Sequence, residues 1–135
     1  MISIIGHGVD IVELIEFERL LSAPGDHLLT RCFTSDEISY AGDGPHRVQR
    51  LAARFAAKEA VMKSLATGWV SGISWKDIEV KREPSGAPLI QVTGEVARLA
   101  KSKGVGSFLV SLSHSRGLAM ASVIAVRHGD ELAGN

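Results

Sequence analysis

Residues 47–66 read RVQRLAARFAAKEAVMKSLA, and this stretch predicts one long helix that packs against the rest of the fold. Thr67 and Gly68 follow it, and a glycine just past the last turn is typical of a helix end. At about 100° per residue, the apolar side chains cluster on one side of the helix and predict a buried stripe. The members of this stripe are Leu51, Phe55, Met62, Leu65 and Ala66.

Two charged residues lie where a packing helix is normally apolar. Lys58 falls within the stripe and Glu59 at its edge, while Arg54 and Lys63 lie one turn away from them. One interpretation is a solvated helix face with a single Glu–Lys pair, which contributes only ~0.3–0.5 kcal/mol. The other is a ligand site, because charges beside an apolar stripe are normally paired or bound to an ion or ligand. Three cations around one carboxylate suit a phosphate-rich ligand with a metal ion.

The N-terminal segment predicts a strand that ends in a second acid. Five residues share one face by two-residue alternation: Ile2, Ile4, Gly6, Gly8 and Asp10. The two glycines leave room for close approach of backbone or ligand. Asp10 either caps a helix predicted over Ile11–Leu21 or joins Glu59 in binding Mg²⁺, which takes one or two carboxylates together with phosphate oxygens.

The remaining segments predict an α+β fold with antiparallel strands packed against the long helix. Thr34-Ser-Asp-Glu37 is a capping box, so a helix is expected to begin at Ser35. Hairpins pair strands antiparallel, and here strands and helices are interspersed. We expect strands over Trp75–Lys81, Leu89–Val92, Phe108–Leu112 and Leu118–Val126. A turn is expected at Pro84–Gly86, and a short helix from Gly94-Glu95 to Lys103. Residues 1–126 would form one domain and 127–135 a flexible tail.

Composition excludes several classes of protein. Fifteen basic residues balance fifteen acidic ones, which argues against bulk attraction to nucleic acid or an anionic membrane. Cys32 is the single cysteine, so neither a disulfide within the chain nor a cysteine-based zinc site is expected, and we interpret it as a core residue. No apolar run approaches the roughly 20 residues that span a bilayer, and the N-terminus lacks a signal-peptide pattern. A reducing cytoplasm is the expected location.

Three separate blocks of the sequence together carry a resemblance to one protein family. Residues 6–13 read GHGVDIVE, residues 54–60 read RFAAKEA and are followed by Lys63 and Thr67-Gly68, and residues 110–115 read VSLSHS. They are similar to the G-x-G-x-D-I-V-E, R-F-A-x-K-E-A-x-x-K and V-S-[IL]-[ST]-H segments of the holo-acyl-carrier-protein synthases, the small class of 4′-phosphopantetheinyl transferases. The agreement extends from residue 4 to about residue 126, and the middle block is the most specific.

The resemblance implies an activity and an assembly. A Mg²⁺-dependent enzyme of this family moves the 4′-phosphopantetheine group of coenzyme A onto a serine of an apo acyl carrier protein, for lipid and fatty-acid biosynthesis. Adenosine 3′,5′-bisphosphate is released. Small members form homotrimers with active sites between subunits. Two departures stand out: Glu16 occupies a position where the family often has a carrier-binding arginine, and Ala66 replaces the first glycine of a G-T-G motif.

The resemblance also implies roles for individual residues. Asp10 and Glu59 would bind Mg²⁺, and Glu59 and Lys63 would act in catalysis. The proton acceptor stays open between Glu59 and a water on the metal. Coenzyme A would contact residues from all three parts of the chain. These are Arg54, Lys58 and Lys63 near its phosphates, Gly86 and Pro88 beside the adenine, and His114 and Ser115 near the 3′-phosphate.

The residues also bear on three other functions. Ser113 and His114 point to opposite faces of a strand and no G-x-S-x-G elbow exists, which argues against a serine hydrolase. An RNA-binding domain would need a basic patch with interleaved aromatic residues, which this sequence lacks. A module that binds coenzyme A or a nucleotide without catalysis stays open. Trp69 and Trp75 are interpreted as loop residues that pack against a neighbouring segment, with ligand stacking as the alternative.

Overall fold

The computed structural model describes residues 2–25, 27–70 and 72–129. Strands and helices alternate along the chain, as expected for the α+β class. The strands are β1 (Ser3–Glu13), β2 (Ile78–Arg82), β3 (Pro88–Val92), β4 (Ser107–Ser115) and β5 (Leu118–Arg127). The helices are α1 (Leu14–Ser22), α2 (Leu28–Cys32), α3 (Ser35–Ala41), α4 (Arg47–Ser64) and α5 (Gly94–Ser102).

The long helix α4 lies across one face of a three-stranded antiparallel sheet. The strand order is β1-β5-β4, and β2 and β3 form a separate antiparallel hairpin. Alternate residues of β5, including Ala121 and Val123, are buried against α4. A second buried cluster joins α4 to α1, α2 and α3 and contains Phe17 and Cys32. The α+β class, the antiparallel pairing and the core position of Cys32 are therefore confirmed.

Two glycines let β1 approach α4 more closely than side chains allow. A Cβ added at Gly8 would lie 2.0 Å from the Ala60 carbonyl oxygen, and one added at Gly6 would lie 2.0 Å from that of Ser64. The space left by both glycines is therefore filled by the backbone of α4. Asp10 follows Gly8 by two residues on the same face, so this contact brings the end of β1 beside the middle of α4.

Strand β1 extends further than the sequence predicted, and the alternation of its first residues also differs from the prediction. A helix was expected from Ile11, but residues up to Glu13 pair with β5 and the helix begins at Leu14, whose N–H donates to the Gly117 carbonyl oxygen. Strand pairing thus overrides the helical periodicity. A register shift between Ile4 and Gly6 also interrupts the alternation, so the expectation that Ile4 shares the face of Gly6 was wrong.

Other element boundaries moved for local reasons. The capping box at Thr34 and Glu37 is confirmed, and α3 begins at Ser35. Residues 75–77 form a 3₁₀ turn instead of the start of a strand, because Ser74 and Asp77 form a second capping box there. The short helix α2 was not predicted. Helix α4 ends at Ser64, and Ala66 is exposed rather than part of the buried stripe.

Two expectations concern the ends of the chain and membranes. Strand β5 includes Arg127, one residue beyond the expected domain boundary. Residues 130–135 of the expected flexible tail lie outside the described residues. Within the part of the chain that the structure describes, no helix is long and apolar enough to cross a membrane.

Candidate active site

Asp10 and Glu59 line one cavity of about 350 Å³ between β1, α1 and α4. Asp10 comes from the last part of β1, and Glu59 lies one turn after Phe55 on α4. Phe17, Leu20 and Phe55 give the cavity apolar walls, so the two carboxylates face a partly desolvated space. The structure therefore brings together the two acids that sequence reasoning paired across distant segments.

The charges around Glu59 oppose one another. Burial, and then the negative charge of Asp10, raise the pKa of the Glu59 carboxyl. A hydrogen bond from the Trp69 indole N–H to Glu59 Oε1 (3.2 Å) and the charge of Lys63 act in the opposite direction. Lys63 Nζ donates to Asp10 Oδ1 at 3.0 Å and to the Val9 carbonyl oxygen at 2.9 Å. Two acids thus line the cavity, and an exposed lysine lies against one of them.

These donors fit a hard divalent cation with open coordination positions. The negative charge of Asp10 disfavours ionisation of Glu59, so a cation bound between the two carboxylates would stabilise their charged forms. Mg²⁺ uses one or two protein carboxylates together with water and phosphate oxygens. No group of three or more potential metal-ligating residues occurs among the described residues. A closed structural metal site is therefore not formed by residues 2–25, 27–70 and 72–129, whereas a two-carboxylate site that a substrate completes is compatible with the geometry.

Lys58 is a correction to the sequence prediction, which placed it near the phosphates. Its side chain is fully buried and its ammonium group donates to Glu37 Oε1 (2.9 Å) and to the carbonyl oxygens of Trp75 (3.2 Å) and Ile78. An ammonium group has three N–H donors, so none is left for a ligand. Glu37 also accepts from the Val80 N–H, so the pair ties α3 and α4 to β2. Lys58 holds the fold together.

Arg54 lies at a second site, with the residues expected beside the adenine. It lines a cavity of about 280 Å³ together with Gly86, Pro88 and Arg82. Gly86 has a φ of +93°, and a Cβ added there would lie 3.1 Å from Arg82 Nη2. Glycine at this position therefore satisfies the turn and leaves room for the guanidinium group. Three residues that the sequence placed at coenzyme A, Arg54, Gly86 and Pro88, share one cavity.

His114 and Ser115 lie on opposite faces of β4. His114 lines a cavity of about 200 Å³ with Arg54, and it also lines one of about 110 Å³ with Ser115 and Ile11, whereas Ser115 lines only the second of these two. Within one chain the structure thus brings His114, but not Ser115, to the Arg54 region. Ser113 lines both cavities together with His114, and no hydrogen bond joins these two side chains in the part of the chain that the structure describes.

Sequence reasoning missed several residues of both sites. Trp69 was expected to pack on a neighbouring segment, and it does stack on Trp75 at 3.9 Å, but its N–H also binds Glu59. Tyr40 and Arg82 line the Arg54 cavities although they are distant in sequence. A tyrosine in α3 and an arginine at the end of β2 have no shared spacing that reveals the contact.

Glu16, one of the two departures from the family motifs, pairs with a basic residue on the same helix. Glu16 lines the cavity of Asp10 and Glu59, and Arg19 donates to both of its carboxylate oxygens. The Arg19 hydrogen bond lowers the pKa of Glu16. A positive charge is thus present one turn along α1 from Glu16, although Glu16 neutralises it.

Comparisons with known proteins agree on one family. The family model of the 4′-phosphopantetheinyl transferase superfamily matches residues 6–121. A holo-[acyl-carrier-protein] synthase of Geobacter sp. (strain M21) is 44% identical over 124 residues, 92% of this chain and 99% of that protein. Two solved synthases, from Neisseria meningitidis and from Helicobacter pylori in complex with coenzyme A, are both 29% identical, with TM-scores of 0.82 and 0.77. They cover 91% and 88% of this chain, which covers 98% of each.

Proposed function

This chain belongs to the 4′-phosphopantetheinyl transferase superfamily, and from that premise we propose how its residues move phosphopantetheine from coenzyme A to a carrier protein. A serine Oγ of the apo acyl carrier protein attacks the phosphorus that bears pantetheine. A serine O–P bond forms as the bond from that phosphorus to the bridging oxygen breaks. Adenosine 3′,5′-bisphosphate leaves, and the serine proton passes to a base. The observation that carries the proposal is the shared cavity of Asp10 and Glu59.

Asp10 and Glu59 are proposed to hold a Mg²⁺ ion. Burial and then the negative charge of Asp10 raise the pKa of Glu59, and a bound cation would offset both, which supports this assignment. When bound, the ion would supply positive charge to pyrophosphate oxygens as charge develops on the leaving group. The Trp69 indole N–H, bonded to Glu59 Oε1, keeps one carboxylate oxygen oriented, so the other stays available to ligand or proton.

Lys63 is proposed to stabilise the leaving phosphate. Its side chain is half-exposed, and its ammonium group lies 3.0 Å from Oδ1 of Asp10, which lines the cavity. A lysine there can donate to a phosphate oxygen through a charge-assisted hydrogen bond. Since phosphoryl transfer depends chiefly on positioning and charge stabilisation, this is a catalytic role. Glu59, partly buried and with a raised pKa, is the base candidate that this chain itself supplies.

The nucleotide end of coenzyme A is proposed to occupy the Arg54 region. Arg54, Gly86 and Pro88 line one cavity, and His114 joins Arg54 in another, which supports a contiguous binding surface. Ser115 belongs to this proposal only if a neighbouring subunit brings it there. Lys58 is excluded because it is sealed inside the fold.

A subunit interface is proposed from one sheet face, and the family resemblance supplies the proposed number of three subunits. The face of β1-β5-β4 that points away from α4 exposes five apolar side chains: Val9, Ile11, Leu109, Leu118 and Met120. A contiguous apolar face of this kind is typical of a subunit interface. Light scattering should give a mass three times that of the chain, and a monomer mass would contradict the proposal. A cytoplasmic location is proposed from the single cysteine.

A mass assay tests the function. Incubation with coenzyme A, Mg²⁺ and an apo acyl carrier protein should add one phosphopantetheine to the carrier. A carrier whose acceptor serine is replaced by alanine is the control, and chelation of the metal should stop the reaction until Mg²⁺ is restored. Binding of coenzyme A without any mass increase would favour the alternative, a non-catalytic module.

A further inference from the structure

Three aromatic rings form a continuous stack between α4 and the loop that joins α4 to β2. The Trp75 ring lies between the other two: its centroid is 4.7 Å from that of Phe55 and 3.9 Å from that of Trp69, with interplanar angles of 17° and 21°. The indole N–H of Trp69 then donates to Glu59 Oε1 at 3.2 Å. The stack therefore begins on α4 at Phe55 and returns to α4 one turn later, at Glu59.

The backbone around Trp75 is fixed by hydrogen bonds. Ser74 and Asp77 form a reciprocal capping box around the 3₁₀ turn that contains Trp75. The Trp75 carbonyl oxygen also accepts from the fully buried ammonium group of Lys58 at 3.2 Å. Since the ring is anchored through its backbone and stacked on a helix residue, Trp75 presents a rigid surface to its neighbour.

Trp69, by contrast, lies in a part of the loop that has few backbone anchors. At the described residues 68–70 and 72, no backbone N–H donates to another described backbone carbonyl. A segment with so few backbone hydrogen bonds does not by itself hold a side chain in one orientation. The ring of Trp69 is only partly buried. Its orientation therefore depends on the stack with Trp75 and on the hydrogen bond to Glu59.

We propose that Trp75 is a positioning residue of the active site, which acts through Trp69 to fix the Glu59 carboxylate for a divalent cation. A carboxylate that already accepts a hydrogen bond on one oxygen loses less rotational freedom when the other oxygen binds an ion. The stack supplies the rigid support, and the indole N–H supplies the hydrogen bond. The inference rests on the proposed function, because the cation is the one assigned to Asp10 and Glu59.

Mn²⁺ affinity, measured by electron paramagnetic resonance with coenzyme A present, tests the role of Trp75. Trp69→Phe keeps a ring against Trp75 but removes the N–H, so it should weaken Mn²⁺ binding about tenfold or more, as is typical when a metal ligand loses its supporting hydrogen bond. Trp75→Leu removes the support and should weaken binding about two- to tenfold, as expected for the loss of one aromatic stack. Because Trp75 acts through the Trp69 N–H, the double variant should bind Mn²⁺ no more weakly than Trp69→Phe alone.

Phe108→Leu provides a matched control for general destabilisation. Phe108 is a buried aromatic residue of β4 and belongs to no aromatic pair among the described residues. Its replacement should lower stability, as Trp75→Leu should, but leave Mn²⁺ affinity at the wild-type value. Equal losses of affinity in Phe108→Leu and Trp75→Leu would overturn the proposal. So would independent effects of Trp69→Phe and Trp75→Leu that multiply in the double variant.

Circular dichroism of the metal-free chain tests the same link in the opposite direction. Trp69 and Trp75 are the two tryptophans of the chain, so an exciton couplet in the far-ultraviolet spectrum reports their stacking. Glu59→Ala removes the acceptor of the Trp69 N–H and should weaken the couplet, because coupling between two sites is reciprocal. Glu16→Ala, in the same cavity, should leave the couplet unchanged. A wild-type couplet in Glu59→Ala would contradict the link.

Failure of the proposed function is recognised separately. A wild-type chain that binds no Mn²⁺ in the presence of coenzyme A would contradict the metal site and, with it, this role of Trp75. Wild-type binding, with unchanged affinity in both Trp69→Phe and Trp75→Leu, would overturn the role of Trp75 alone.

Discussion

Lys58 and Glu59 are adjacent on α4, yet Lys58 stabilises the fold whereas Glu59 faces the candidate active site. Lys58 has no exposed surface and uses its ammonium group to join α3, α4 and β2. Glu59 faces a cavity, where burial and then the negative charge of Asp10 raise the pKa of its carboxyl. A rotation of about 100° along one helix thus separates a charge that is satisfied within the fold from one whose balance requires a ligand. An unbalanced charge at a cavity is a better sign of function than a charge that is paired within the fold.

Removing the unbalanced charge should have the largest effect on activity. Glu59→Gln or Asp10→Ala should lower phosphopantetheine transfer by about 10³-fold or more, since each removes one of two ligands to a catalytic cation. Both variants should fold normally, because they relieve repulsion between two acids. Transfer is measured by carrier mass, and folding by thermal unfolding. Mg²⁺-dependent activity retained in both variants would refute the assignment.

The lysines on either side of Glu59 sharpen the comparison. Lys58→Met leaves Glu37 buried without its partner and should reduce the free energy of unfolding by about 3–5 kcal/mol. Lys63→Met makes the same chemical change at an exposed position and should alter stability by less than about 1 kcal/mol. Its effect should instead fall on the rate of transfer. Chemical denaturation should show the larger loss of stability in Lys58→Met, and turnover measurements should show a loss of rate in Lys63→Met. If the same variant lost more of both stability and rate, the division of roles would be contradicted.

The glycine contact between β1 and α4 should matter to both fold and site. Gly8→Ala would place a methyl group 2.0 Å from the Ala60 carbonyl oxygen, so the strand must move away from the helix. We expect a loss of about 1–3 kcal/mol in stability and lower activity, because Asp10 moves with the strand. Gly44→Ala is the matched control, since no atom lies within 4 Å of the added Cβ. Equal stabilities for the two variants would show that the close approach is unimportant.

The smallest predicted effect lies at the end of α4. Ala66 has a φ of +55°, at the position that the resemblance matched to the first glycine of a G-T-G motif. Ala66→Gly should raise the free energy of unfolding by about 0.5–1 kcal/mol, because glycine adopts this conformation without strain. The same change at Ala23, which has a φ of −67°, should not stabilise the chain. Turnover should stay unchanged in both variants, since neither residue lines the cavity of Asp10 and Glu59.

How far the sequence predicted these features depended on the range of each signal. The α4 helix and the Thr34 capping box were predicted because their patterns are local. The resemblance paired Asp10 with Glu59, and the structure gives the pairing a cause in Gly6 and Gly8. Lys58 was wrongly assigned to a phosphate because a motif does not reveal that Glu37 closes over it. The contacts that bring Tyr40 and Arg82 to the Arg54 cavities are tertiary and have no sequence periodicity.

The central claim is that Asp10 and Glu59 together bind one divalent ion, and Mn²⁺ binding followed by electron paramagnetic resonance tests it most directly. With coenzyme A present, the wild-type chain should bind one Mn²⁺ per site. Asp10→Asn and Glu59→Gln should each lose this binding, whereas Glu16→Gln, in the same cavity, should retain it. Wild-type Mn²⁺ affinity in both Asp10→Asn and Glu59→Gln would contradict the claim.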